Sequence, residues 1–528
     1  MLIYFVIIPI LIAVFLYLFP FEKSARILAI IIQSALLGAA FYLFYESREQ
    51  IFVTPIGYYE SVLGIILRAD TLTSSFILLT AFIFLIVAIY SYSDNNSRLF
   101  WFLLFIWEGT LIGIFLAGDV FNVFVLTEVA TMVVSVLIMY YRNKRSMYDG
   151  IIYLMINIVA IQFYLFGLGY LYRLVGVLDM ETAAAIASTL DSSQLVLPYA
   201  LIMTFIALKC ALLPLFSWLP RAHSTPGASP GVSAVLSGLH IKGGVYLLLR
   251  FQGIFEGVAS PEFFLAAGII TAFAGVIMAL SQNHIKRILA YSTIAQVGVI
   301  IAGLHTGNSY NYIGSLYHIF NHAIFKAALF LSAGIIANAY DTKDITKISG
   351  VLKQMPVVGI ASIMAVLGIT GAPFFNGSVS KYFIMYDMGS FLNALFIIIN
   401  LGTITIFIKY SLIFFGKPET EADYNKYDLW KQVPVMALGL LCLGFGIFGE
   451  SIILYLLNVD VRINMGGYIE KSVIFGLSLG AGFIICKYGI KDRPMLKHVA
   501  AIDLGFRGMC AALGVFFAAI LITVRFIM

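Results

Sequence analysis

Apolar residues in this chain neither alternate with polar ones, as in a half-buried strand, nor form a narrow stripe along a helix. They run on for about 20 residues at a time between short polar loops, the length a helix needs to cross a bilayer. Such runs begin near Leu2, Ala25, Thr73, Arg98, Val120, Met147, Pro198, Ser229, Pro261, Arg287, Asn311, Pro356, Ser390, Val433, Ser472 and Gly508. The pattern predicts an all-α polytopic membrane protein with about 14 to 16 transmembrane helices. Met1 to Phe19 has no basic n-region and no small-residue cleavage site before Pro20, so it reads as a first span and not as a removed signal peptide. Two stretches depart from the pattern. Ile51 to Asp70, with Pro55 and Gly57 among β-branched residues, predicts a hairpin, and Gly176 to Leu195 predicts a short amphipathic helix on the same face.

Composition sharpens this picture. With 61% hydrophobic and 11% charged residues, the chain lies far from the soluble range. The net charge of +5 comes from 32 Lys and Arg, of which 20 fall in alternate loops beginning with Phe21 to Ser24, 7 on the other side and 5 inside spans. That asymmetry predicts an N-terminus outside and a location in the cytoplasmic (inner) membrane. The charge is a topology signal and gives no reason to expect nucleic acid. Cys210, Cys442, Cys486 and Cys510 fall in apolar runs without ligand spacing, so free core thiols are expected. There is no metal-ligand cluster, nucleotide loop or nucleophile constellation, so neither covalent catalysis nor a cofactor is expected of this chain.

The candidate chemistry is a line of ionisable residues within the spans. Glu108, Glu128, Lys209, Lys242 and Lys326 lie near the predicted midplane, with Lys381 and Lys409 nearer span ends. Each would cost about 2.5 to 3.5 kcal/mol if left unpaired at a helix centre. His318, His322 and Lys326 follow at i, i+4, i+8 on one helix face, a plausible relay of groups that can donate and accept protons. His240 stands two residues before Lys242 and so points elsewhere. Pro214 in the seventh span and Pro373, within "GITGAPFFNGS", in the twelfth break their helices at membrane depth, each near a lysine. Paired broken helices are the sequence pointer to inverted repeats with a site between them.

"GDVFNVFVLTEVATMVVSVLI", "ALKCALLPLFSWLPRAHSTPGASPGVSAVLSGLHIKGGVYLLLR", "NHIKRILAYSTIAQVG", "NHAIFKAALFLSAG" and "GAPFFNGSVSK" together resemble the antiporter-like subunits shared by Mrp-type Na+/H+ antiporters, membrane-bound hydrogenases and respiratory complex I. The resemblance covers about residues 99 to 416 and is nearest the Mrp D subunit. It implies two inverted five-helix repeats, residues 98–256 (helices 4 to 8) and 257–416 (helices 9 to 13). Helices 1 to 3 and the hairpin would precede them in 1–97, and 417–528 would hold the C-terminal helices, two of them beyond the family's usual 14.

The same resemblance implies a proton-translocation set. Glu128 would pair with Lys209 as a switch, followed by Lys242, His322, Lys326 and the terminal Lys381. Glu108 resembles a fourth-helix acid of some members, and His223 occupies the histidine of "WLPDAH". Here that motif reads "WLPRAH", so Arg221 replaces an acid. His240, His318 and Lys409 are further relay candidates, although Lys409 is close enough to its span end to snorkel. Asp119 could be a helix N-cap and Glu450 a helix-packing hydrogen bonder. The expected function is proton translocation in a multisubunit Mrp-type Na+/H+ antiporter, with other membrane subunits as partners, further antiporter-like ones among them. The alternatives are an ion-pumping subunit of a redox-driven hydrogenase or complex I-like oxidoreductase, and a structural membrane scaffold.

Overall fold

A computed structural model describes residues 1–18, 22–57, 64–94, 96–418, 421–423, 428–490, 498–500 and 502–527. Its first elements are α1 (Tyr4–Leu18), α2 (Glu22–Glu46), a two-stranded antiparallel hairpin of β1 (Phe52–Ile56) and β2 (Ile65–Ala69), and α3 (Thr71–Tyr90). There follow α4 (Arg98–Leu116), α5 (Val120–Ile138), α6 (Lys144–Val175), the short α7 (Met180–Ala187), and α8 (Ser192–Lys209) with α9 (Trp218–Ser224). The helices α10 (Pro230–Gln252), α11 (Pro261–Leu280), α12 (Ile285–Leu304) and α13 (Ser309–Ala339) come next. The chain continues through α14 (Pro356–Thr370), α15 (Asn376–Ile384), α16 (Ser390–Ser411), α17 (Leu429–Ile447), α18 (Gly449–Leu457), α19 (Met465–Ile484) and α20 (Phe506–Ile527).

Among the described residues 14 helices are long and apolar enough to cross a membrane, and the shorter apolar helices α1 and α14 account for the remaining two runs. The hairpin and the amphipathic helix form where the sequence places them; the hairpin tip, 58–63, and most of the basic loop 487–498 lie outside the described residues. Asp70, Asp119, Asp179 and Asp191 each cap the following helix by accepting from a first-turn N–H, which satisfies one of its orphan donors.

The core is set by the most enclosed helices. Every residue in the most apolar window of α13 is buried, and α10 and α12 are nearly as enclosed, whereas α19 is 11% buried over its window. Such all-round burial explains why α13 carries His, Asn and Lys without a polar outer face. Its neighbour α12 packs on α11 through glycines. A Cβ on Gly298 would meet Ala272 N and Gly268 O at 2.5 Å, and one on Gly275 would meet Ala295 N at 2.5 Å, so the two backbones touch along their length.

The cysteines are free, but only Cys210 and Cys442 are buried. Cys486 and Cys510 sit on the less enclosed C-terminal helices and are half-exposed, a correction to the expectation of core thiols. Those two helices separate. α19 packs on α16, whereas α20 packs on α6 and α8.

Candidate functional site

The first break runs from Cys210 to Ser217, between α8 and α9. Interrupting a helix orphans backbone groups; here Leu213 N–H donates to Thr271 Oγ1 (3.0 Å), and the Trp218 indole N–H adds a bond to Leu208 O (2.9 Å), which also accepts from Ala211 N–H. Lys209 is the last residue of α8. Its ammonium donates to Thr131 Oγ1 of α5 (3.0 Å) and Asn157 Oδ1 of α6 (2.7 Å), with the Phe205 ring 5.5 Å away. Glu128 is half-buried one turn before Thr131 and lies within electrostatic reach, but it makes no ion pair with Lys209. The expected contact between the two is open in this conformation, and neutral oxygens hold the cation.

The middle of the site is built on a widened turn. Residues Leu236–His240 of α10 form a π-helical stretch, which shifts the register of the side chains after it. His240 faces away from Lys242: its Nδ1 accepts from the Trp107 indole (3.4 Å) and its Nε2 meets Tyr153 OH (3.1 Å). Tyr153 leads back to Lys209, because its carbonyl accepts from Asn157 Nδ2 (2.8 Å). Lys242 turns the other way, donating to Ser237 O and hydrogen-bonding His322 Nδ1 of α13.

From His322 the polar line divides along α13. Lys326, fully buried, donates to Leu289 O (2.8 Å) and to Ser292 Oγ of α12. His318, its ring centroid 6.4 Å from that of His322, meets Gln296 Oε1 (3.0 Å) through Nε2 and Ser380 Oγ (2.8 Å) through Nδ1. Ser380 precedes Lys381 on α15, beyond the second break. The Lys381 ammonium donates to Ile369 O (2.6 Å), a carbonyl orphaned by that break, and to Asn400 Oδ1 (2.7 Å). A cavity of about 50 Å³ lies beside it, lined in part by Ser378, Tyr468 and Lys471.

The remaining candidates lie off this line. Glu108 is fully buried and accepts from Gln33 Nε2 of α2. His223, also fully buried, stacks on Phe330 at 4.4 Å and 13°, with neither ring nitrogen hydrogen-bonded. Lys409 donates to Leu280 O (2.9 Å) and Gln282 O (2.7 Å), so it caps the C-terminal end of α11, where a cation is favoured. Asp119 is the N-cap of α5, and Glu450 accepts from Ile463 N–H (2.5 Å). Sequence reasoning misses Thr131, Asn157, Tyr153, Gln296 and Asn400, whose one available signal was a neutral polar side chain inside an apolar run. It also counts Lys286 as a loop charge, whereas its side chain is buried and donates to Ala228 O (2.7 Å).

Fold and site together define a multi-pass membrane protein with two interrupted helices joined by a buried polar line. The chain belongs to the NADH:quinone oxidoreductase/Mrp antiporter, TM family, whose pattern it matches over residues 117–409. It is 29% identical over 486 residues to the D subunit of the Na(+)/H(+) antiporter of Alkalihalophilus pseudofirmus, covering 88% of this chain and 98% of that one. It is 30% identical over 423 residues to the N subunit of the NADH-quinone oxidoreductase of Desulforudis audaxviator, covering 74% and 83% respectively. Its fold matches a chain in the structure of the Mrp complex from Dietzia sp. DQ12-45-1b with a TM-score of 0.80 at 21% identity, over 92% of this chain and 98% of that chain.

Proposed function

We propose that this chain is the proton-translocating antiporter-like subunit of a multisubunit Mrp-type Na+/H+ antiporter in the cytoplasmic membrane, its N-terminus outside. The observation that carries the reading is the hydrogen bond between Lys242 of α10 and His322 of α13. It joins residues 98–256 to residues 257–416, which we take as two inverted repeats, and brings the polar groups of both into one line. In the present conformation Lys209 rests on neutral oxygens. When Glu128 closes on it, the pair holds a proton; when the pair opens, the proton passes by way of Lys242, His322 and His318 towards Lys381. Lys326 and Ser292 form a side branch at His322. The wild-type complex and a His322→Ala variant would be compared in inverted vesicles from cells lacking other antiporters, with a dye reporting proton movement on addition of NaCl. Loss of the Na+-dependent signal at normal protein level is the expected result; an unchanged signal would overturn the line.

A redox-driven assembly is the second reading, favoured by the 30% identity to an NADH-quinone oxidoreductase subunit. Purifying the native complex separates the two: iron-sulfur or nickel-bearing subunits that co-purify in stoichiometric amount would replace the antiporter reading.

A further inference from the structure

Two departures from the family pattern meet in space. One is Arg221 in "WLPRAH", where the resemblance leads one to expect an acid; the other is the C-terminal extension. Arg221 lies on α9, the half-helix beyond the first break, with its side chain 12% exposed and its guanidinium 5.9 Å from the centre of the Tyr148 ring. Its Nε donates to Asp503 Oδ1 at 2.7 Å, and among the described residues Asp503 is the one acid in ion-pair contact with it. The next residue, Leu504, donates its N–H to Ser217 Oγ (3.3 Å), at the end of the break itself.

Asp503 and Leu504 are anchored by α20, the helix that begins two residues later. Met509, Leu513, Phe516, Ile520 and Val524 form one buried face of α20, at helical spacing. That face packs on α8, the half-helix that ends in Lys209, and on α6, with Phe517 against Phe163 (5.7 Å between ring centroids). A single C-terminal segment thus grips both sides of one broken helix: α20 holds α8, while Asp503 and Leu504 hold α9 and the end of the break. A break gives a helix freedom to hinge, and a second segment bonded to both halves limits it.

We propose that Asp503 is a positioning residue of the translocation site: through Arg221 it splints α9, and with it His223 and the gap beside Lys209, against α8. The splint rests on the geometry of the break and not on the identity of the transported ion, so it can be tested without a transport assay. Cys210, fully buried immediately after Lys209, reports the state of the gap. Membranes containing the full chain in its native complex would be treated with N-ethylmaleimide, and the alkylation rate of Cys210 read by peptide mass spectrometry.

Asp503→Asn, which keeps the side-chain shape and removes the charge, is expected to speed Cys210 alkylation three- to tenfold. Asp503→Glu and the exchanged pair Arg221→Asp with Asp503→Arg should return the rate to within twofold of wild type. General loosening of the protein would accelerate Asp503→Asn without recovery in the exchanged pair, and that result overturns the proposal. So does a wild-type rate in Asp503→Asn. Loss of antiport in His322→Ala bears on the polar line alone and leaves these rates unaffected.

Discussion

The two breaks carry a lysine each, but they repair their backbones differently. At the first, the Leu208 carbonyl accepts from the Ala211 N–H and also from the Trp218 indole, which leaves the Lys209 ammonium to be held by side chains from two other helices, Thr131 and Asn157. At the second, Lys381 itself satisfies the orphaned Ile369 carbonyl. Lys209 can therefore change partners without disturbing its helix, and an acid stands within electrostatic reach to receive it. Lys381 cannot leave without exposing a backbone acceptor. The same residue type is held by side chains alone in one half and bonded to a backbone carbonyl in the other.

The largest effect expected is at Lys209. Lys209→Ala should reach normal levels in the complex and lose coupled transport by 100-fold or more in inverted vesicles. Lys209→Arg should fail as well, because a guanidinium does not release its proton. Proton movement at normal rate in the Arg variant would make Lys209 a fixed charge and erase the contrast between the two breaks.

Lys381→Ala sharpens the comparison. It should lose transport and also lower thermal stability in detergent, by about 1 to 3 kcal/mol for a buried acceptor left unpaired, whereas Lys209→Ala should lose less, because the acceptors it leaves, on Thr131 and Asn157, are side chains that can turn to other donors. Equal melting of the two variants would show that the carbonyl finds another donor.

Smaller effects are expected from the amides. Asn157→Leu removes one of the two side-chain acceptors on Lys209 and should slow transport about tenfold, the cost of a charged hydrogen bond at about 1.5 to 3 kcal/mol being partly recovered by Thr131. Asn400→Leu should cost about threefold, since Ile369 O still accepts from Lys381. A larger loss in Asn400→Leu would reverse the order.

The smallest effect lies away from both breaks. Burial pushes the Asp70 carboxyl up, but the hydrogen bond and charge of Arg250 outweigh it and hold it below the usual carboxylate value. With the folded value depressed, the contribution is complete above the unfolded carboxylate value of about 3.9 and is lost as pH falls through the folded one. Asp70→Asn should lower stability at neutral pH by about 1 kcal/mol or less, a difference that holds down to about pH 4 and then shrinks as pH falls on through the depressed folded value. A constant difference from neutral to acid pH would assign the effect to the N-cap alone.

The spans were legible because their length is dictated by the bilayer, and the breaks because Pro214 and Pro373 announce them. The hairpin around Pro55 was legible from its turn and β-branched residues, and the short helix between Gly176 and Leu195 from its amphipathic pattern. The contacts of each cation were not. Whether Lys209 meets Glu128 or Asn157 depends on how α5 and α6 are rotated against α8, and that rotation is fixed by packing spread over many apolar residues with no periodic signal of its own. The π-helical stretch at Leu236–His240, which turns His240 and Lys242 to different partners, has no mark in composition. The capping role of Lys409 was hidden for the same reason, since the carbonyls it serves belong to another helix.

The close packing of α11 and α12 bears on how a mutational screen of this protein would read. Gly268, Gly275 and Gly298 carry no charge and no side chain, yet any side chain there would force two backbones apart. In a screen scored by growth on salt they would rank beside Lys209 and Lys242, and only the amount of protein in the membrane would tell the two groups apart. A column of silent residues between helices can thus imitate a conduction path, and a screen that counts survivors without weighing the protein would draw the path in the wrong place.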